Sequence, residues 1–106
     1  SYALGYVMLV DVEREPLRFR FRLDGSKLVR HFGEDLTGKY SDELRPPEYA
    51  AYVTGVYTNA VLAGGPQRYV RDLVVEGKPQ RYEVVILPLG EADQIKMLML
   101  GMVPLT

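Results

Sequence analysis

Three stretches of the chain are apolar almost without interruption: Tyr6-Val7-Met8-Leu9-Val10, Val84-Val85-Ile86-Leu87 and Met97-Leu98-Met99-Leu100-Gly101-Met102-Val103. Side chains alternate between the two faces of a strand, so an unbroken run marks a strand covered above and below. Two further stretches, Arg18 to Leu23 and roughly Arg68 to Glu76, carry polar residues along one or both faces, as strands at a wetter margin do. The pattern predicts one sheet with three buried central strands and two edges. Covering both of its faces takes more helix than this chain supplies, which points to a module that docks onto something else.

Between these strands, Asp11 to Pro16 reads as a charged turn, and the second strand sets Phe19, Phe21 and Leu23 against Arg18, Arg20 and Arg22. Ser26 can cap a short helix through Phe32, with Leu28, Val29 and Phe32 as its apolar stripe and Gly33 as its stop. Glu34 to Tyr40 is a loop, and Ser41 can cap one more turn holding Leu44. The longest helix starts at Pro46-Pro47, where a missing N–H is harmless, and ends before Gly64-Gly65-Pro66. Tyr49, Val53, Val56 and Ala60 recur at helical spacing and should face the sheet. Gly55 inside this helix costs about 1 kcal/mol relative to alanine, a loss that close packing would offset. A meander closes the chain: a strand from about Arg68, a turn at Gly77-Lys78-Pro79, a strand from about Arg81, a turn at Gly90 to Asp93 and a last strand.

Composition narrows the function. With 106 residues, 47% of them apolar, the chain holds one domain and one core (1–106). A formal charge of -1 with mixed signs argues against a nucleic-acid binder. Cysteine is absent, which excludes disulfides, thiolate nucleophiles and cysteine-ligated metals and fits a cytoplasmic protein. No apolar run reaches the roughly 18 residues of a membrane span, so no membrane partner is expected.

The element order β-β-α-α-α-β-β-β resembles the PAS domain, and the likeness extends to the residues. Phe19-Arg20-Phe21-Arg22-Leu23-Asp24-Gly25-Ser26 leads to Leu28-Val29 and then to Phe32-Gly33-Glu34-Asp35-Leu36-Thr37-Gly38. This is similar to the second strand, first helix and "F-G-x-D-L-T-G" turn of a bacterial PAS subgroup. Tyr82-Glu83-Val84-Val85-Ile86-Leu87-Pro88-Leu89 is similar to the subgroup's penultimate strand. The resemblance implies an α+β fold: a five-stranded antiparallel sheet in the order 2-1-5-4-3 with helices packed on one face. The first, fifth and fourth strands are then central, which agrees with the apolar pattern.

Candidate chemistry is sparse. Gly33-Glu34-Asp35-Leu36-Thr37-Gly38-Lys39-Tyr40 nearly spells a phosphate-binding loop, but Tyr40 replaces the small hydroxyl residue and two carboxylates would repel the anion, so it reads as a connecting turn. The arginine row of the second strand reads as the solvated face of an edge strand. His31, the one histidine, falls near a helix end, whereas haem-binding PAS domains carry theirs on the long helix; haem is not expected. Thiol-adduct flavin photochemistry needs a cysteine in an "N-C-R-F" motif that this chain lacks. No cofactor is assigned, and neither a nucleophile nor a metal set accompanies Asp42-Glu43 or Glu91/Asp93, so no catalysis is expected and no metal site.

The resemblance implies a sensory or signalling module holding any small ligand between the inner sheet face and the helices. Phe21, Phe32, Tyr49, Tyr52, Val56 and Tyr69 are the candidates to line such a pocket; the tyrosines serve equally well as amphipathic residues at a core rim. Phe19, Phe21, Phe32 and Tyr52, bulky and facing inward, favour a small or filled cavity, which would make the chain a pure interaction scaffold. All four methionines (Met8, Met97, Met99 and Met102) fall in the first and fifth strands, neighbours in that order. Adaptable methionine suits a surface that repacks against partners. Met8, Met97 and Met99 are the candidates for contact with a second copy, a flanking helix or a signalling partner on the outer face.

Overall fold

The computed structural model describes residues 6–24, 35–75, 77–91 and 93–105. The expected short helix from Ser26 to Phe32 lies outside them, and His31 and Phe32 with it. Five strands build one sheet: β1 (Val7–Glu13), β2 (Arg18–Asp24), β3 (Gln67–Val75), β4 (Lys78–Glu91) and β5 (Gln94–Pro104). Every neighbouring pair is antiparallel, and the order is β2-β1-β5-β4-β3. The three strands apolar on both faces are therefore the central ones, and the two wetter strands are the edges.

Two strands run further than the turn residues suggest. Asp11, Val12 and Glu13, expected in a turn, pair with Arg20, Phe19 and Arg18. Val12 keeps the alternation going, and acidic and basic residues stand opposite one another, a favourable cross-strand arrangement. Lys78 and Pro79, also expected in a turn, pair with Val75 and Val74. Gly77, at φ +76°, lets the hairpin reverse before them, and proline is tolerated at the start of a strand.

The helix α1 (Pro47–Ala63) has Pro46 at its N-cap and stops at Gly64, whose φ of +68° is left-handed. It buries Ala50, Val53, Tyr57, Ala60 and Val61 against the inner sheet face, with Tyr49 and Val56 partly covered. Gly55 lies on the opposite, exposed side, where a β-carbon would meet nothing within 4 Å. Its cost is not offset by close packing, contrary to the sequence expectation. A 3-10 turn spans Ser41–Glu43, capped by Tyr40 rather than Ser41. Ser41 is instead buried, and its hydroxyl shares a 2.7 Å hydrogen bond with that of Thr54 on α1.

The core sits between α1 and one face of the sheet. Val10, Phe19, Phe21, Ile86, Ile95 and Leu98 are essentially inaccessible, and the Tyr57 ring meets Phe19 and Phe21 edge-on at 5.5 and 6.3 Å. Edge β2 is partly closed by the turn that follows: Phe21 N donates to Lys39 O at 2.8 Å, and Gly38 N to Phe21 O at 2.7 Å. Asp35 Oδ1 shapes that turn by accepting from Thr37 N at 2.9 Å and Thr37 Oγ1 at 2.6 Å, which holds its carboxyl below the usual range.

Candidate functional site

Alternation and register decide what each face of the sheet presents. Direct cross-strand partners share a face, so Met102, Val84 and Tyr69 form one inner row across β5, β4 and β3. Met8, Leu100 and Ile86 form the next row across β1, β5 and β4. Above these rows, the N-terminal half of α1 stands off the sheet and leaves a cavity of about 350 Å³. Its floor is Met8, Phe21, Val84, Leu100, Met102 and the inward residues Tyr69, Arg71 and Leu73 of β3. Tyr49, Tyr52, Val53, Val56 and Tyr57 of α1 form its roof, and Leu36, Lys39, Glu43, Leu44 and Arg45 close one side.

Phe21, Tyr49, Tyr52, Val56 and Tyr69 thus come together around one space, while Phe32 lies outside the described residues. Tyr52 is 47% exposed and stands at the rim, not inward as expected from its size. Tyr69 is half-buried, and its phenol is pushed up to about 12, first by burial and also by the nearby Tyr52 and Tyr49, against a lowering by Arg71. Its hydroxyl has no hydrogen-bond partner among the described residues. The Arg71 guanidinium lies 4.9 Å from the Tyr49 ring centroid and 5.1 Å from that of Tyr52. Arg71 escaped the sequence reading, yet the signal was there: it follows Tyr69 and precedes Leu73 at period two on an edge strand.

The methionines divide between the two faces. Met8 and Met102 line the cavity, and the Tyr57 hydroxyl lies 3.9 Å from Met8 Sδ. Met8 therefore leaves the proposed outer patch, because even positions of β1 point toward α1. Met97 and Met99 do face outward. Leu23, Leu9, Met99 and Leu87 pair in register across β2, β1, β5 and β4, giving an apolar row that spans four strands. Leu23 joins this row, rather than Phe19 and Phe21, because the extra residue Arg22 in β2 shifts the register between Leu9 and Val10.

The arginines of β2 differ among themselves. Arg20 and Arg22 are exposed, and Arg22 Nε donates to Asp11 Oδ1 at 2.8 Å. Arg18 is half-buried: it forks onto both oxygens of Asp42 at 2.8 Å and stacks 3.6 Å from the Tyr40 centroid. That fork holds the Asp42 carboxyl below its usual range. Tyr40 donates to Glu13 at 2.9 Å, which raises its phenol. The group ties β1, β2 and the 3-10 turn together. Among the described residues no cluster of three histidine, aspartate or glutamate side chains could hold a metal ion, and no helix is long and apolar enough to cross a membrane.

No family model matches the chain, and no curated protein matches it. Solved structures do. The crystal structure of the Rhodobacter sphaeroides LOV protein aligns with a TM-score of 0.64 at 18% identity, over 93% of this chain and 58% of that one. The PAS domain of Bordetella pertussis BvgS aligns at 0.59 and 17% identity, over 94% and 73% of the two chains. A domain of an HTR-like protein from Haloarcula marismortui gives 0.60 and 16%, over 94% and 98%. Likeness at these identities is a likeness of fold, and together with the strand order it establishes that this chain has the PAS fold. The chain spans 58% of the length of the Rhodobacter sphaeroides LOV protein.

Proposed function

We propose that the chain is a bacterial, cytoplasmic sensory module that binds a small molecule in the cavity between α1 and the inner sheet face. The observation that carries this reading is the cavity itself. At about 350 Å³ it falls within the roughly 300–1,000 Å³ usual for small-ligand sites, and a filled core would have favoured the scaffold alternative. Its walls are mostly apolar with a few polar groups among them, the composition such sites share. Ligand preference for one position of α1 against the sheet would shift the population of that position. The outer row of Leu9, Leu23, Leu87 and Met99 is the surface on which a second copy of the chain would read the shift. An apolar row of this length suits self-packing about a twofold axis.

Native mass spectrometry of the chain isolated gently from its host tests the ligand reading. The expected result is an added mass on the order of a few hundred daltons, typical of such ligands, that disappears on denaturation and is absent from Val56→Trp, whose indole fills the cavity. A bare chain that also fails to take up any compound from a diverse library would end the ligand reading and favour the scaffold.

A further inference from the structure

The charged groups that line the cavity are mostly cationic. Lys39, Arg45 and Arg71 line it against a single carboxylate, Glu43, whose Oε1 already accepts the Tyr40 N–H at 2.9 Å. Arg71 is the cation set deepest in the wall, on an inward position of β3 and half-buried. Among the described residues no carboxylate pairs with it, whereas the other two arginines of this hairpin are matched: Arg68 with Glu83 and Arg81 with Asp72. Among the described residues, only the faces of Tyr49 and Tyr52 meet its guanidinium, and these leave the in-plane N–H fork unused. Tyr69, two residues earlier on the same inward row, adds a half-buried hydroxyl that lacks a partner among the described residues. A partly desolvated guanidinium and an idle donor beside it are costly unless an acceptor arrives.

We propose that the cavity binds an amphipathic organic carboxylate, with the carboxylate on Arg71 and Tyr69 and the apolar body over Met8, Val84, Leu100 and Met102. This rests on the reading of the cavity as a ligand site and names the ligand's class. A planar fork of N–H donors matches a carboxylate in a bidentate pair, which a neutral head group cannot reproduce and a cationic one would oppose. The apolar surface of Met8, Val84, Leu100 and Met102 favours an anion that carries an apolar body over a small, fully hydrated one.

Isothermal titration calorimetry with octanoate, octanol and octylamine, at matched ionic strength, separates the alternatives. The expected result is octanoate binding about tenfold or more tighter than either other compound, the scale of a charge-assisted bidentate pair. Arg71→Met should abolish that preference while leaving octanol unchanged, and Arg71→Lys, which keeps charge but loses the fork, should retain only part of it. Arg20→Gln, an exposed cation on the outer face, should change nothing. Equal affinity for octanol and octanoate, or a preference that survives in both Arg71 variants, overturns the carboxylate assignment and leaves the cavity reading standing. Binding of none of the three overturns the assignment, and the cavity reading then falls or stands on its own mass-spectrometric test.

Discussion

Gly55 and Tyr69 show how far the role of a side chain depends on which way it faces. Gly55 sits mid-helix with open space where its β-carbon would be, so alanine there loses nothing and restricts the unfolded chain. Gly55→Ala should stabilise the fold by about 0.5–1 kcal/mol, read as a rise of a few degrees in the thermal midpoint. An unchanged or lowered midpoint would mean that something packs on that face in solution. Tyr69 behaves oppositely, because burial penalises its ionised form. Its folded value of about 12 lies above the ordinary 10.0, so its neutral form favours the fold at any pH below about 10, and that contribution is lost as pH rises toward about 12. Stability should therefore fall across that alkaline window, and Tyr69→Phe should make the fall shallower. Tyr40 and Tyr82 are raised too, so part of the slope should persist. Phenolate absorbance followed during alkaline titration checks the assignment: the variant should lose a late-titrating tyrosine.

The hairpin between β4 and β5 places the sharpest demand on the backbone. Gly90 has a φ of +121°, and a β-carbon there would stand 2.6 Å from Gln94 O. Its partner Ile95 is fully buried, with the extra residue Lys96 between the Gly90–Ile95 and Leu89–Met97 pairs. Gly90→Ala should cost about 1–3 kcal/mol or more from strain alone, seen as a lower denaturant midpoint. A neutral result would show that this hairpin relaxes without disturbing Ile95. The sequence announced a turn near Gly90, but not the bulge that turns Ile95 inward, because a bulge changes parity without changing composition. The same blindness hid Leu23, moved to the outer face by the extra Arg22 in β2. It read the central strands well, since an unbroken apolar run such as Val84 to Leu87 has few other homes in a small domain. Turn residues misled it at Lys78-Pro79, where β4 already resumes directly after Gly77. Around the cavity, helical spacing pointed Tyr49 toward the sheet but left out Tyr57, which is buried, and size alone misplaced Tyr52, which stands at the rim. Arg71 was not legible, because an arginine on an edge strand looks like solvent decoration until the register with Tyr82 on β4 shows which face it occupies.

What joins the cavity to the outer face is chiefly β5, a single strand with a foot in each. Leu100 and Met102 line the cavity, while Met97 and Met99 face outward between β1 and β4. A closely packed sheet transmits a shift of α1 by repacking rather than by bending, and flexible methionines on both sides give β5 alternative packings of similar energy. If a cavity ligand favours one of them and a second copy on the outer face favours the same one, the two binding events are linked. Linkage is reciprocal: the ligand must change the dimer's dissociation constant by the factor by which dimerisation changes ligand affinity. Couplings of this kind are worth about 1–3 kcal/mol, or roughly 5–150-fold. Sedimentation over a range of protein concentrations, with and without saturating octanoate, should show such a change in dimer affinity. Met97→Glu with Met99→Glu should give a monomer under both conditions while still binding octanoate. Octanoate should also slow amide exchange in β1, β4 and β5 of the unsubstituted chain. A dimer whose affinity ignores the ligand, or exchange in these strands unaltered by it, would mean that the two faces act independently and that the signal leaves by another route.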